Sequence, residues 1–362
     1  MRTPTTVADI DAIIGTPSRM VLLKATGVLD EGCRAVLAAA PVAALGIRDA
    51  TGASRTMLVG GTAGFAHAES RTRLSLGMPD GAPIPALGTG VSMVFLLPGL
   101  GETFRLNGTA ADVGDGRLAI DMTEAYVHCA RCVLRAKLWT VVPDSPARSL
   151  PAAPAEGPLS TPGVCAFLAA SPFAVISSRD GDERADTSPR GDGPGFLRVL
   201  DGATIAVPDR RGNKRADTLH NLMTCADVSL AALVPGRGEV AYLSGTAQVS
   251  TDPTLLATMA LRDKPPHAAI VVHVQHADLA PTTTTHALWS GPRDPERLPD
   301  LNAIAAEHLA SNTDGGRATR LLSRGLATAP KALTRRAMDA AYRSALRDEG
   351  YRPSAFRADD HP

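Results

Sequence analysis

Short runs of β-branched and aliphatic residues, broken by Gly, Pro and Asp, set the pattern of this chain. In the first half they are Val42–Ile47, Arg55–Val59, Arg73–Gly77, Val91–Leu97, Thr103–Ala110 and Ala119–Val127. In the second half they are Phe173–Ser178, Phe196–Leu200, Thr204–Val207, Val228–Leu233, Glu239–Val249 and Ala269–Gln275. Several short strands at such spacing predict an antiparallel barrel or sandwich and not βαβ units. A helix is expected over Glu31–Ala40, ended by Pro41, and a short one over Val7–Ile14, stopped by Gly15-Thr16-Pro17. Past Gly291 the pattern turns helical. Asp300 stands where it can cap Leu301–Ala310, and Pro330 suits a first helical position. Leu333, Ala337, Ala341 and Ala345 form a narrow apolar stripe that Gly350 closes; Arg335, Arg336, Arg343 and Arg347 on that helix read as a solvated face.

The strand pattern occurs twice. Leu37-Ala-Ala-Ala-Pro41 returns as Leu168-Ala-Ala-Ser-Pro172, Arg48-Asp49 as Arg179-Asp180, and Gly64-Phe65 as Gly195-Phe196. Pro98-Gly99-Leu100-Gly101-Glu102 returns as Pro235-Gly236-Arg237-Gly238-Glu239, Gly108-Thr109-Ala110 as Gly245-Thr246-Ala247, and Leu138-Trp139 as Leu288-Trp289. The order is kept throughout, so a duplicated unit is the reading. It divides the chain into an arm (1–29), a first barrel (30–143), a Pro/Ala linker (144–160), a second barrel (161–291) and a helical extension (292–362). Such a linker is semi-extended and spans tens of ångströms.

Composition narrows the function classes. The 37 basic and 37 acidic residues balance, which argues against general nucleic-acid binding. No apolar window is long enough to span a membrane, and the N-terminus carries no apolar signal segment. Five cysteines without framework spacing fit a reducing cytoplasm.

The two halves differ in where their chemistry lies. The second carries Thr187-Ser188-Pro189-Arg190-Gly191-Asp192, then Val207-Pro208-Asp209-Arg210-Arg211-Gly212-Asn213-Lys214-Arg215, then Asn221. The latter run follows a strand and precedes a short helical stretch, Ala216–Leu222. Backbone N–H groups at a helix start together with guanidinium and ammonium donors suit a phosphate; a solvated basic turn is the plainer alternative. The first half is six residues shorter at that place and has no Lys or Arg there. It carries instead His128-Cys129-Ala-Arg131-Cys132-Val-Leu-Arg135-Ala-Lys137 before Trp139, where the second half has Ala280 to His286 with no cation until its histidine. Cys129-x-x-Cys132 lacks a second ligand pair and Cys33, Cys165 and Cys225 are scattered at apolar positions, so no metal is expected. Leu58-Val-Gly-Gly-Thr-Ala-Gly64 lacks the strand–helix context of a nucleotide loop, and no Ser-His-Asp signature is present.

Ser188-Pro-Arg-Gly-Asp192, Gly195-Phe196, Val207-Pro-Asp209, Gly212-Asn213, Asn221 and Leu233-Val-Pro-Gly236 resemble the pyridoxamine 5′-phosphate oxidase-like flavoproteins. So, in the first half, do Gly15-Thr-Pro17, Lys24, Leu29-Asp30, Cys33-Arg34, Leu97-Pro-Gly99, Glu102-Thr-Phe-Arg-Leu-Asn-Gly108, His128-Cys129, Arg135 and Lys137-Leu-Trp139. The resemblance spans about residues 12–140 and 161–290. It implies a mainly β (α+β) fold of two six-stranded Greek-key split barrels, here fused as an intramolecular pseudo-dimer with a helical C-terminal tail. It also implies FMN in the cleft between them. Ser188, Arg190, Pro208, Asp209, Arg211, Asn213, Lys214 and Arg215 from the second barrel would hold the cofactor, with Arg135, Lys137 and Trp139 from the first covering it. The opposite cleft lacks both sets, so one FMN per chain is expected. The implied activity is an oxidoreductase acting on a small molecule, with NADH or NADPH as the reductant to test. His128 and Arg135 are the candidates for a catalytic role. The alternative is a non-catalytic carrier of flavin, deazaflavin or haem, for which His128, His276 or His286 would be the axial ligand. Further self-association through the tail is left open.

Overall fold

The computed structural model describes residues 3–141, 154–290, 298–327 and 330–351. Two seven-stranded antiparallel sheets make up its body. The first contains β1 (Val42–Arg48), β2 (Ser54–Gly60), β3 (Ala66–Ala68), β4 (Arg73–Gly77), β5 (Gly90–Leu96), β6 (Thr103–Gly114) and β7 (Arg117–His128). The second contains β8 (Phe173–Arg179), β9 (Ala185–Gly191), β10 (Arg198–Val199), β11 (Thr204–Asp209), β12 (Asp227–Leu233), β13 (Glu239–Ser250) and β14 (Ala268–Pro281). The first sheet runs β2-β1-β5-β6-β7-β4-β3 and the second, taken in the same sense, β9-β8-β12-β13-β14-β11-β10. The two orders are one topology, shifted by seven strands. Each sheet has one strand more than the six expected, because the short edge strands β3 and β10 each join a ladder.

Each sheet curls around its own core, as a split barrel does. Alternation along β1 shows how the halves meet. Ala43, Leu45 and Ile47 point into the core of the first barrel, while Val42 and Ala44 point into a separate apolar cluster. On β8, Ala174 and Ile176 enter the second core, and Phe173 and Val175 join Val42 and Ala44. Successive side chains on a strand face opposite ways, so β1 and β8 read as continuous apolar runs because both their faces are buried.

Further along the same interface the apolar contacts give way to hydroxyls. Thr56 donates to Ser177 Oγ at 2.7 Å and pairs with Ser229 Oγ at 2.7 Å. Thr187 pairs with Ser177 at 2.9 Å and with Ser92 at 2.6 Å. Each group in this buried chain has a partner, which removes the cost that burying it would otherwise carry. At the far end Arg48 reaches Glu183 and Asp227, each at 2.7 Å. Gly46 makes this approach feasible: a Cβ there would lie 2.3 Å from Ser177 Oγ and 2.4 Å from Thr187 Oγ1.

The chain ends cross over. The helix Val7–Ile14, capped by Thr6 and Asp9, places Ile10 in the core of the second barrel. The helix Leu301–Ser311, capped by Asp300, places Leu301 and Ile304 in the core of the first. The helix Lys331–Asp348 buries Tyr342 and Leu346. The expected stripe is not its buried face: Leu333, Ala337 and Ala341 are exposed. The first ten residues of the expected linker, 144–153, lie outside the described residues. No helix among the described residues is long and apolar enough to cross a membrane.

The close approach at Gly46 is testable. Gly46→Val is expected to lower unfolding free energy by about 1–3 kcal/mol through overpacking, read as a shifted urea midpoint. An unchanged midpoint would mean the barrels do not meet along β1.

Candidate functional site

A cleft of about 490 Å³ lies between the barrels, within the usual range for small-molecule sites. Its second-barrel wall begins on β9. Polar, glycine-bearing and interrupted by Pro189, this segment gave no strand signal, yet it pairs in full with β8. An edge strand tolerates proline because one side of its ladder is free. Gly191 ends it against the first barrel, where a Cβ would lie 2.0 Å from the carbonyl oxygen of Cys132. Arg190 Nη1 donates to Asp209 Oδ1 at 2.7 Å, which ties β9 to the end of β11.

Beyond Asp209 the loop Arg210–Ala216 carries Lys214 at φ 62° and Ala216 at φ 56°. Left-handed backbone at residues other than glycine costs roughly 1–2 kcal/mol each, and such strain tends to collect at functional sites. Asn213 Oδ1 steadies the loop by accepting from Arg215 N at 3.1 Å. Arg210 is anchored on Asp192 at 2.6 Å. Arg211 Nε meets His267 Nε2 at 3.0 Å. Neither Arg211 nor Lys214 has a carboxylate partner among the described residues.

The first barrel supplies the facing wall from β6, from the end of β7 and from the helix Arg131–Ala136. Arg105 is fully buried there and ion-paired with Asp186 and, at 3.4 Å, with Asp217. It shares the Tyr126 ring with Arg215, their guanidinium carbons lying 5.0 and 4.0 Å from the ring centroid, a cation–π arrangement on both counts. Tyr126 donates to Asp217 Oδ2 at 3.2 Å. Burial alone would raise the Asp217 pKa; Arg105 and Arg215 outweigh it and hold the carboxyl below its ordinary value.

His128 closes β7 within the cleft. Burial, reinforced by Arg105, Lys24 and Arg190, pushes its pKa well below the usual imidazole range, so it is neutral near pH 7. Cys129 and Cys132 also line the cleft, and burial pushes the Cys132 thiol up to about 12.

The C-terminal tail reaches the same place. Glu349, buried, pairs with Arg135 and with Arg131 at 3.3 Å. Tyr351 donates to Asp192 Oδ1 at 2.7 Å and lies with its ring centroid 5.7 Å from the Arg135 guanidinium carbon. Arg135 also donates to the carbonyl of Arg211. From the first barrel it therefore bridges the basic loop of the second barrel and the tail that follows that barrel.

Eight cations line the cleft (Arg105, Arg131, Arg135, Arg190, Arg210, Arg211, Lys214 and Arg215) against three carboxylates, Asp192, Asp209 and Asp217. Among the described residues, six buried nitrogens there have no hydrogen-bond partner: Arg190 Nε, Asn213 Nδ2, Arg135 Nε, His128 Nδ1 and both Nε and Nη2 of Arg105, the last of them ion-paired with Asp186. Buried polar groups are nearly always satisfied, so this set of donors fits an anionic ligand.

Of the residues expected to bind a cofactor, Ser188, Arg190, Pro208, Asp209, Arg211, Asn213, Lys214, Arg215 and Arg135 line the cleft, as does His128. Ser188 Oγ, though, donates to Asp186 Oδ2 at 3.0 Å. Lys137 and Trp139 are not in the wall. Lys137 is exposed in the left-handed cap after the helix Arg131–Ala136, which turns the chain away. Trp139 is buried in the cluster between barrels and donates to the Leu100 carbonyl at 2.6 Å. Arg105 was missed as a site residue, although the Glu102–Gly108 motif contains it; Tyr126, Asp217 and the tail residues Glu349 and Tyr351 had no motif to mark them.

The pseudo-symmetric position holds a second cavity of about 1370 Å³, where Met57 and Leu58 replace Ser188 and Pro189, and Tyr242 replaces Arg105. Among the described residues Arg55 is its one Arg or Lys, and that guanidinium is occupied by Asp49 at 2.9 Å. His276 and His286 line this cavity, away from the cationic cleft.

The profile of the pyridoxamine 5′-phosphate oxidase family matches residues 161–280. No curated protein matches the sequence. Among solved structures, HupZ from Group A Streptococcus is 16% identical, with 32% of this chain and 90% of that one aligned and a TM-score of 0.27. An F420 reductase is 14% identical over 31% of this chain and 94% of that one, with a TM-score of 0.25. HutZ, the haem storage protein of Vibrio cholerae, is 12% identical over 33% and 93%, with a TM-score of 0.25.

Two measurements probe this geometry. Glu349→Ala leaves Arg135 buried without a counter-charge and is expected to cost about 3–5 kcal/mol of unfolding free energy, seen by urea denaturation; a neutral variant would place the tail elsewhere. For His128, the unfolded chain takes up a proton near pH 6.5 that the folded chain refuses. Its contribution is therefore complete above that pH and is lost as pH falls, at up to about 1.4 kcal/mol per unit. Denaturation midpoints between pH 7.5 and 5.5 should fall less steeply in His128→Gln than in the parent.

Proposed function

We propose that this chain is an FMN-dependent oxidoreductase of the pyridoxamine 5′-phosphate oxidase-like class. Its two barrels are copies of one unit, and the cationic cleft between them takes one flavin. The observation that carries the reading is the set of unpartnered donors, Arg190 Nε and Asn213 Nδ2, beside the unpaired charges of Arg211 and Lys214. All four come from the segments whose sequence resembles a flavin phosphate loop. A phosphate monoester there would gain charge-assisted hydrogen bonds from each. The flavin itself would supply hydride and electron transfer.

The remaining residues have roles that follow from their places. Arg190 is oriented by Asp209, and Arg210 by Asp192, so the loop is braced before ligand arrives. Neutral His128 offers one ring nitrogen, Nδ1, without a protein partner, as donor or acceptor to a bound ring or small-molecule substrate. Arg105 sets positive charge behind the site and is held by Asp186 and Asp217. Arg135 positions loop and tail together and is better described as a bracket than as a catalytic group. The opposite cavity, with a single and already paired arginine, supports one flavin per chain.

Titration of the purified protein with FMN, followed by flavin fluorescence, is expected to saturate at one equivalent. Arg190→Gln should weaken binding about 10- to 100-fold, since a charged hydrogen bond contributes about 1.5–3 kcal/mol. A stoichiometry of two, or no binding, rejects the proposal. Reduction of the bound flavin by NADH or NADPH separates an enzyme from a carrier.

A further inference from the structure

From the meeting of Asp30, Cys33 and His308 we infer a divalent-metal site of the zinc class that clamps the C-terminal extension onto the first barrel. His308 Nε2 lies 2.9 Å from Asp30 Oδ2 and 3.9 Å from Cys33 Sγ. The three ligand atoms lie within 4.8 Å of one another. Tetrahedral zinc, with bonds of roughly 2.0 Å to nitrogen or oxygen and 2.3 Å to sulfur, sets its ligands about 3.3–3.6 Å apart. The two spacings from His308 Nε2 fall to either side of that range by a few tenths of an ångström.

The hydrogen bonding around the cluster argues for an ion. His308 Nδ1 lies 3.2 Å from the Lys24 carbonyl oxygen, an atom that only accepts, so Nδ1 carries the ring proton. In the neutral imidazole Nε2 is then a lone pair aimed at a carboxylate oxygen, two acceptors at hydrogen-bond distance. Either a second proton or a cation resolves that contact. A metal-bound histidine donating its other N–H to a carbonyl is the usual outer-sphere arrangement. Asp30 is free to ligate through Oδ2 because its Oδ1 is engaged separately, accepting from Cys33 N at 2.8 Å as the helix cap. Cys33 and His308 are buried, while the Asp30 side chain is 35% exposed, so the site opens to water on that side for a fourth ligand. The mixture of thiolate, imidazole and carboxylate selects zinc over magnesium or calcium.

The cluster is remote from any sequence spacing, since Cys33 and His308 are 275 residues apart. It joins the helix Glu31–Ala39 to the helix Leu301–Ser311.

The test uses the full chain expressed in zinc-supplemented medium, purified without chelator and analysed by elemental mass spectrometry. One zinc per chain is expected in the parent and in Cys129→Ser, and none in Cys33→Ser or His308→Gln. Cobalt exchanged into the parent should show a thiolate-to-metal charge-transfer band that Cys129→Ser retains. That spectrum decides the matter even if a Cys33 or His308 variant fails to fold. A chain that retains no zinc or cobalt after dialysis against micromolar metal overturns the inference, and leaves an imidazolium–carboxylate ion pair. So does cobalt bound without a thiolate band, or a band lost in Cys129→Ser. Flavin binding is read separately, so failure here leaves the cleft's assignment standing.

Discussion

Gathering like charges is costly, and the structure is arranged around holding eight cations in one crevice. Each must be kept apart from its neighbours or given a counter-charge where water is scarce. Asp209 answers Arg190, Asp192 answers Arg210, Asp186 and Asp217 answer Arg105, and Glu349 answers Arg131 and Arg135. These acids come from the second barrel and from the tail, while Arg105, Arg131 and Arg135 come from the first barrel. The cleft therefore depends on the barrels being face to face, on the hydroxyl row and apolar cluster that hold them so, and on the tail being brought back. Arg211 and Lys214 are exempt because they face solvent, and they remain free for a ligand.

Much of the architecture was legible in the sequence because its cause is local. Runs such as Val42–Ile47 and Val91–Leu97 are strands whose apolar pattern their burial on both faces explains. Helix ends at Ile14 and Pro41 and the cap at Asp300 were marked by the residues that make them. What was hidden had tertiary causes. β9 is polar and contains proline, yet the neighbouring β8 and the interface hold it extended. β3 is too short to leave a period, whereas β10 falls within the expected run Phe196–Leu200. On the last helix the buried positions are Tyr342 and Leu346, because the helices Arg131–Ala136 and Leu301–Ser311 that pack against it decide which side is covered.

The site divides in the same manner. The basic loop and the Arg190 strand were visible as a charge concentration that the other half lacks, and nine of the eleven expected binding residues line the cleft. Lys137 and Trp139 were placed there by the family resemblance of the Lys137-Leu-Trp139 motif, but the helix containing Arg135 ends at Ala136 and the chain turns away into the inter-barrel core. Arg105 lay inside a noted motif and drew no weight because a lone arginine in a strand carries no sign of being buried. Glu349 and Tyr351 follow the end of a helix that read as solvated, and only the fold returns them to the loop.

One consequence follows from the crossing of the chain ends. The N-terminal helix seals the second barrel and an extension helix seals the first, so neither barrel is complete on its own stretch of polypeptide. A crevice built between separate subunits empties when the pair dissociates on dilution. Here both walls belong to a single molecule and meet at a fixed effective concentration. The crevice thus persists however scarce the protein becomes, and the two pseudo-symmetric cavities are free to diverge, one specialised for charge and the other released from it.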